Sequence, residues 1–284
     1  MNLFRRSISR LGRWPLYALL LFWSLVCLYP LAWMFATSLK TMPEITQDAM
    51  ALLPEAFRWE NYAEAWTHGN FGVYFKNSII VTTVALFLVL WTSSMTAFAV
   101  ARTEFPGKRF MLFALVATLF IPAEATLVPV FHIAKRLHLL NSLGGLIIVS
   151  TAGAQVVSIY LIQAYFRTIP KDLDDAAKID GCTLFQTYWH VVLPLARPVL
   201  ATVAILTFMG TWNAYLLPLA FTMSRPELRT LPVGLVAFQS GFAFSVNWPL
   251  LCAGAAITLL PVIVLYILLQ RYFVSGIAAG ALKG

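Results

Sequence analysis

Trp212, Asn213 and Tyr215 stand close together in the stretch GTWNAYLLPL. An aromatic platform with an amide beside it suits a sugar, through ring stacking on the apolar sugar face and hydrogen bonds to hydroxyls. The same residues serve equally well in helix–helix packing and interhelical hydrogen bonding. Glu124, in FIPAEATLVPVF, is a carboxylate inside an apolar run. An ionisable residue at such a depth is a functional candidate, against the alternatives of an acid near the outer interface or one lining a watery cavity for structural reasons. The third candidate is PKDLDDAAKIDGCTLFQ, where Asp172, Asp174, Asp175 and Asp180 place four of the twelve acidic residues within nine positions.

Other chemistries lack their residues. His68, His132, His138 and His190 are dispersed and show no metal-ligand spacing. Cys27, Cys182 and Cys252 form no C-x-x-C, so neither a zinc site nor a disulfide framework is expected. No clustered catalytic set of the His-with-acid or H-E-x-x-H kind is present, which argues against a membrane-embedded enzyme. Gly107-Lys108 lacks the preceding glycine and following hydroxyl of a phosphate-binding loop.

The elements that must hold these residues are set by composition. The chain has 284 residues, 60% of them hydrophobic and 11% charged, with a mean hydropathy of +0.78. A soluble domain would carry about a quarter charged residues, so most of this chain is expected to face lipid. Six apolar stretches approach the roughly 20 residues a spanning helix needs: near Pro15–Thr37, Asn77–Val100, Phe110–His132, Leu143–Phe166, Val199–Phe221 and Pro249–Tyr272. They are too continuous for the alternation of a membrane barrel. The expected fold is an all-α integral membrane protein with six transmembrane helices, forming a single transmembrane domain over 1–284.

Arg5, Arg6, Arg10 and Arg13 precede a run too long for a signal peptide and without an A-x-A site, so an uncleaved first span is expected. With both termini cytoplasmic, the inner segments hold thirteen of the twenty Lys and Arg, the Lys135–Arg136 pair being the main exception. The formal net charge of +8 is then a topology signal. Basic residues scattered between spans make no nucleic-acid surface.

On Phe110–His132 read as one helix, Glu124 lies roughly 21 Å from the inner end, in the outer half of the membrane. Prolines at 30, 122, 129, 218 and 261 are expected to kink their spans. The first outer loop, Ser38 to Lys76, is long and acidic, and reads either as a surface for an outside partner or as a solvated connector. LPVGLVAFQSGFAF, in the last outer loop, is too short to span and too apolar to be free in water; it is expected at the interface or packed on the bundle. Pro106-Gly107 marks a tight inner turn.

The inner loop Arg167–Arg197 reads as two short helices. The first runs from Pro170 to Gly181, with acids complementing its N-terminus and Gly181 as a left-handed cap. Thr183 and Gln186 form a capping box for the second, Leu184 to Leu193, which stops at Pro194. Ala176 and Ala177 would give the first helix a narrow exposed ridge that fits a groove on another protein. Anionic headgroups would repel its aspartates, so the reading lies between docking and a passive linker, with docking favoured.

DAAKIDGCTLFQTYWHVVLPLARP resembles the EAA loop of permease subunits of binding-protein-dependent ABC importers, with Asp175, Ala176, Ala177, Asp180, Gly181, Leu193 and Pro194 filling the pattern. Asp175 stands where the pattern has Glu. ATSLKTMPEI, ENYAEAW, FIPAEATLVPVF, GTWNAYLLPL and LLQRYFVSGIAAGALKG extend the resemblance over nearly the whole chain, to the MalG-like branch of carbohydrate permeases. Ala214 stands where relatives often carry an acid. The resemblance implies a coupling helix in Arg167–Arg197 that docks on a cytoplasmic ATPase dimer, where ATP and Mg are bound. It implies a second, homologous permease, an extracytoplasmic solute-binding protein and a bacterial cytoplasmic membrane. The solute would be a sugar or oligosaccharide, or alternatively glycerol-phosphate or another polyol. Trp212, Asn213, Tyr215 and Glu124 are the pathway candidates. An ion-coupled secondary transporter is the rival from another class, but it would need its own ion site and repeated halves.

Overall fold

The computed structural model describes residues 14–48, 50–240 and 247–281. All regular structure among them is helical. The described chain falls into two compact units, one reaching Phe71 and including Leu235–Leu259, the other Gly72–Gly234 with the chain from Leu260.

In the first unit, α1 (Trp14–Thr37) is apolar on every side and exposes nearly all of it, from Trp14 to Leu31. A helix of this kind belongs in lipid. Behind it the loop is folded. α2 (Met42–Gln47) opens with a capping box between Thr41 and Glu44, and α3 (Glu60–His68) follows. Lys40, 2% exposed, donates to the Ala51 carbonyl. The Asn61 amide donates to the carbonyls of Ser38 and Lys40, both at 2.9 Å, and the Ser38 and Tyr62 hydroxyls lie 2.7 Å apart. Each link satisfies a polar group that would be costly to bury alone. The segment expected to be the first outer loop is therefore a built structure with Asp48, Glu55, Glu60 and Glu64 exposed.

The second unit contains the long helices α4 (Phe71–Arg102, from Gly72 on) and α7 (Leu143–Phe166). Between them the third apolar stretch departs from expectation. It forms α5 (Lys108–Thr118) and α6 (Ala123–Arg136) in place of one span. Leu119, Phe120 and Ile121 bond three residues back, which tightens and ends α5. Pro122, extended at ψ 134°, has no N–H to carry the ladder on. At the Pro106-Gly107 turn Gly107 adopts φ +83°, and Lys108 donates to the Thr103 carbonyl at 2.9 Å and the Glu104 carboxylate at 2.8 Å. That hydrogen bond, with the ammonium charge, holds the Glu104 carboxyl below its ordinary range.

After α7 come α8 (Asp172–Ile179), α9 (Leu184–Leu195), α10 (Arg197–Trp212) and α11 (Leu216–Thr222). The fifth apolar stretch is thus also interrupted, at residues 213–215. In the segment expected to be the last outer loop, α12 (Leu231–Ser240) has Leu231 and Val233 buried. The Asn77 amide donates to the carbonyls of Glu227 (2.8 Å) and Arg229 (3.0 Å), and the Leu231 N–H donates to Ser78 Oγ at 2.8 Å. Residues 241–244 of that expectation lie outside the described residues, as do Arg5, Arg6, Arg10, Arg13 and the last three residues of the C-terminal motif. α13 (Trp248–Ala281) closes the chain.

Four described helices are long and apolar enough to cross a bilayer: α1, α4, α7 and Trp248–Leu268 of α13; α9 with α10 adds a bent fifth.

Candidate functional site

The acidic helix is built by its ends. α8 starts at Asp172, two residues later than Pro170, and its first turn carries Asp172, Asp174 and Asp175, which complement the free N–H groups. At the other end Cys182 N–H reaches the Ala177 carbonyl at 2.9 Å and Gly181 N–H the Lys178 carbonyl at 3.0 Å. This is the Schellman pattern, and Gly181 adopts the φ of +81° it requires. Thr183 and Gln186 then cap α9 reciprocally, at 2.8 and 3.3 Å.

α9 runs on past the expected stop. Pro194 lies inside it, and the helix ends at Leu195. Thr187–Val192 is wound as a π-helix, with Leu193 N–H bonded to the Tyr188 carbonyl five residues back. A widened turn carries the proline ring clear of the carbonyl it would strike in a regular helix. The chain turns after Leu195, so that α9 and α10 meet at 78°.

The faces of α8 also differ from the expected ridge. Ala176 is exposed but Ala177 is buried. The exposed face holds Asp172, Leu173, Asp175, Ala176, Ile179 and Asp180, and Ile179 is 87% exposed. Asp175 pairs with Lys178 at 2.9 Å in water, worth little to stability. Asp174 turns inward: its Oδ2 lies 2.9 Å from Arg102 Nε. The N–H is not aligned for a hydrogen bond there, and Asp174 Oδ1 has no partner. Arg102 Nη2 donates to the Ile169 carbonyl at 3.0 Å.

α9 is held against α4 by rings. The Tyr188 hydroxyl lies 2.8 Å from Ser94 Oγ, its ring 5.2 Å from Phe98, and Trp189 meets Trp91 at 5.7 Å. Leu193 is half-buried against the same core and Pro194 is exposed.

Two of the other candidates meet at a cavity of about 850 Å³. Glu124, in the first turn of α6, and Tyr215, in the break between α10 and α11, both line it. Its walls are otherwise mostly apolar, with Leu127, Val130, Ile148 and Leu217 among them. Trp212 is elsewhere: 1% exposed, it stacks on Phe208 at 5.4 Å and meets Phe75 edge-on at 6.0 Å. Asn213 ends α10, its amide donating to the Met209 carbonyl at 3.0 Å. The structure thus brings Glu124 and Tyr215 together and sets Trp212 in the core. Sequence reasoning missed Arg102, Ser94, Phe98 and Tyr188. Their signal was the i, i+4, i+8 spacing of the first three, hidden in an otherwise apolar helix.

Residues 91–279 match the family of binding-protein-dependent transport system inner membrane components. The chain belongs to that family. This permease is 36% identical over 267 residues to the diacetylchitobiose uptake system permease protein NgcG of Streptomyces coelicolor, covering 94% of this chain and 88% of the relative. It is 35% identical to the trehalose transport system permease protein SugB of Mycobacterium tuberculosis, covering 90% and 93%, and 31% identical to the trehalose/maltose permease MalG of Thermococcus litoralis, covering 92% and 93%. A chain in the crystal structure of a bacterial ABC transporter for import of the acidic polysaccharide alginate superposes with a TM-score of 0.83 at 25% identity, covering 93% of this permease and 97% of that chain. The permease is a transport component of ABC importers, not an enzyme, and a partner hydrolyses the ATP.

Proposed function

We propose that this permease imports a sugar or oligosaccharide across a bacterial cytoplasmic membrane. It pairs with a second, homologous permease, and the two form a pathway open alternately to either side. Two ATPase subunits dock below, bind ATP and Mg, and engage the exposed face of α8. An extracytoplasmic binding protein delivers the solute to the folded outer loop. The chain crosses the membrane six times with both ends inside, the α5–α6 and α10–α11 pairs serving as broken spans. A broken helix is tolerated at membrane depth where it lines a cavity; Ala214 and Tyr215 of the α10–α11 break line the cavity, and Glu124 reaches it from the first turn of α6.

Whole-length similarity to sugar-uptake permeases carries this reading. The α8 cap geometry supports the docking role. ATP and the loaded binding protein drive the switch, because a ligand shifts a two-state equilibrium only by its differential affinity.

The test is made on the complex. The chain is co-expressed with its genomic neighbours and purified through a tag on it. ATP hydrolysis is then measured in liposomes with the binding protein and a panel of sugars, polyols and glycerol-phosphate. ATPase activity that co-purifies and rises with one sugar is the expected result. Stimulation by a polyol or glycerol-phosphate alone would replace the sugar assignment, and absence of any ATPase would remove the docking role of α8.

A further inference from the structure

We infer that the stripe Trp91, Ser94, Phe98 and Arg102 on α4 receives the stroke of the coupling loop, and that the Arg102–Asp174 ion pair is the joint that transmits it. The inference rests on the proposed docking of α8 to an ATPase.

The four residues follow one another at three or four positions, so they share one helix face. Each meets the loop at a different depth. Trp91 meets Trp189, Ser94 meets the Tyr188 hydroxyl, Phe98 meets the Tyr188 ring, and Arg102 meets Asp174 and the Ile169 carbonyl. Both parts of the loop are therefore fastened to α4: the Tyr188–Trp189 turn of α9 along its length and α8 at its last residue.

The ion pair is the connection that reaches α8 itself. Side-chain exposure is 4% for Arg102 and 12% for Asp174, so both charges are largely withdrawn from water. A pair this dry is poor evidence of stability, since desolvation offsets most of its attraction. It gives direction: a guanidinium that touches a carboxylate on α8 and a carbonyl just before α8 fixes where the helix starts relative to α4. The other three aspartates of the loop face outward, so one acid of the cluster faces the membrane helix while its neighbours face the partner. A push on the exposed face of α8 is then handed to α4 through Asp174, and Arg102 acts as a positioning residue.

The test compares Arg102→Met, Arg102→Lys and Asp174→Asn in the reconstituted complex. Expected for Arg102→Met and Asp174→Asn is a full complement of co-purified ATPase, with stimulation by loaded binding protein and solute carried per ATP both reduced tenfold or more. Arg102→Lys keeps the charge and one point of contact, and should recover at least a third of the stimulation. Arg102→Cys with Asp174→Cys, in a chain whose native cysteines are replaced, gives a second measurement: joining the two thiols with a short bifunctional maleimide should restore uptake, because the joint stays closed through the cycle. Uptake per ATP at the parent level in Arg102→Met, or uptake that stays low once the two thiols are joined, overturns the inference. If the parent complex shows no solute-stimulated ATPase, the proposed function fails first, and the two failures are distinct.

Discussion

At the scale of single residues, the aspartates of one short segment divide their work by direction. Asp174 is turned to Arg102, whereas Asp175 lies in water beside Lys178. Gly181 carries a different constraint. Nothing lies within 4 Å of a Cβ added there, yet its φ is +81°. A β-branched side chain is therefore opposed by the backbone and not by neighbours, at a cost of about 1–2 kcal/mol. Gly181→Val should leave the protein in the membrane while lowering uptake at least tenfold, as measured by solute transport against membrane abundance. Tyr215 and Trp212 separate in the same way. Tyr215→Ala should raise the half-saturating solute concentration several-fold, because Tyr215 lines the cavity. Trp212→Phe should leave that concentration unchanged and lower thermal stability in detergent, because Trp212 packs between rings. Losing part of a buried aromatic typically costs about 1–3 kcal/mol.

Elements explain why those residues stand where they do. Pro122 and Pro194 follow one rule with opposite outcomes. At Pro122 the ladder ends and a new helix starts, whereas at Pro194 the preceding π turns absorb the ring and the helix goes on for one residue more. Pro194→Ala should allow Thr187–Leu195 to wind as a regular helix and draw Tyr188 away from Ser94. The expected result is a several-fold loss of ATPase stimulation at unchanged ATPase binding. The Asn77 amide of α4 holds two carbonyls of the Glu227–Arg229 turn. Asn77→Ala should cost about 1–3 kcal/mol, since two part-buried hydrogen bonds are lost together, and proteolysis of that turn should quicken accordingly.

For the whole molecule, the two breaks and the cavity belong together. The α5–α6 break sets Glu124 at a helix start, and the α10–α11 break frees the backbone beside Tyr215, so both residues border one space. Glu124→Gln should change uptake through the solute concentration at half-saturation while leaving co-purification of the ATPase intact; an effect on co-purification instead would place Glu124 in assembly. The apolar side chains that α1 exposes suit a lipid surrounding, which a single chain does not supply.

The sequence by itself determined what depends on composition and local chemistry. Hydropathy marked the apolar stretches, and Leu143–Phe166 coincided residue for residue with α7. Gly107, Gly181 and the Thr183–Gln186 box declared their turns and cap, because φ and capping are set by adjacent atoms. The EAA-like pattern was equally local and named the family. Tertiary structure decided the rest. That Ala177 is buried and Ala176 exposed depends on which side of α8 meets the core. That the chain breaks between two helices at Pro122 while Pro30 sits within one helix depends on what re-satisfies the freed backbone groups. The pairing of Arg102 with Asp174, 72 positions apart in sequence, and of Glu124 with Tyr215 in one cavity depends on how helices lie side by side, and residue spacing holds no record of that.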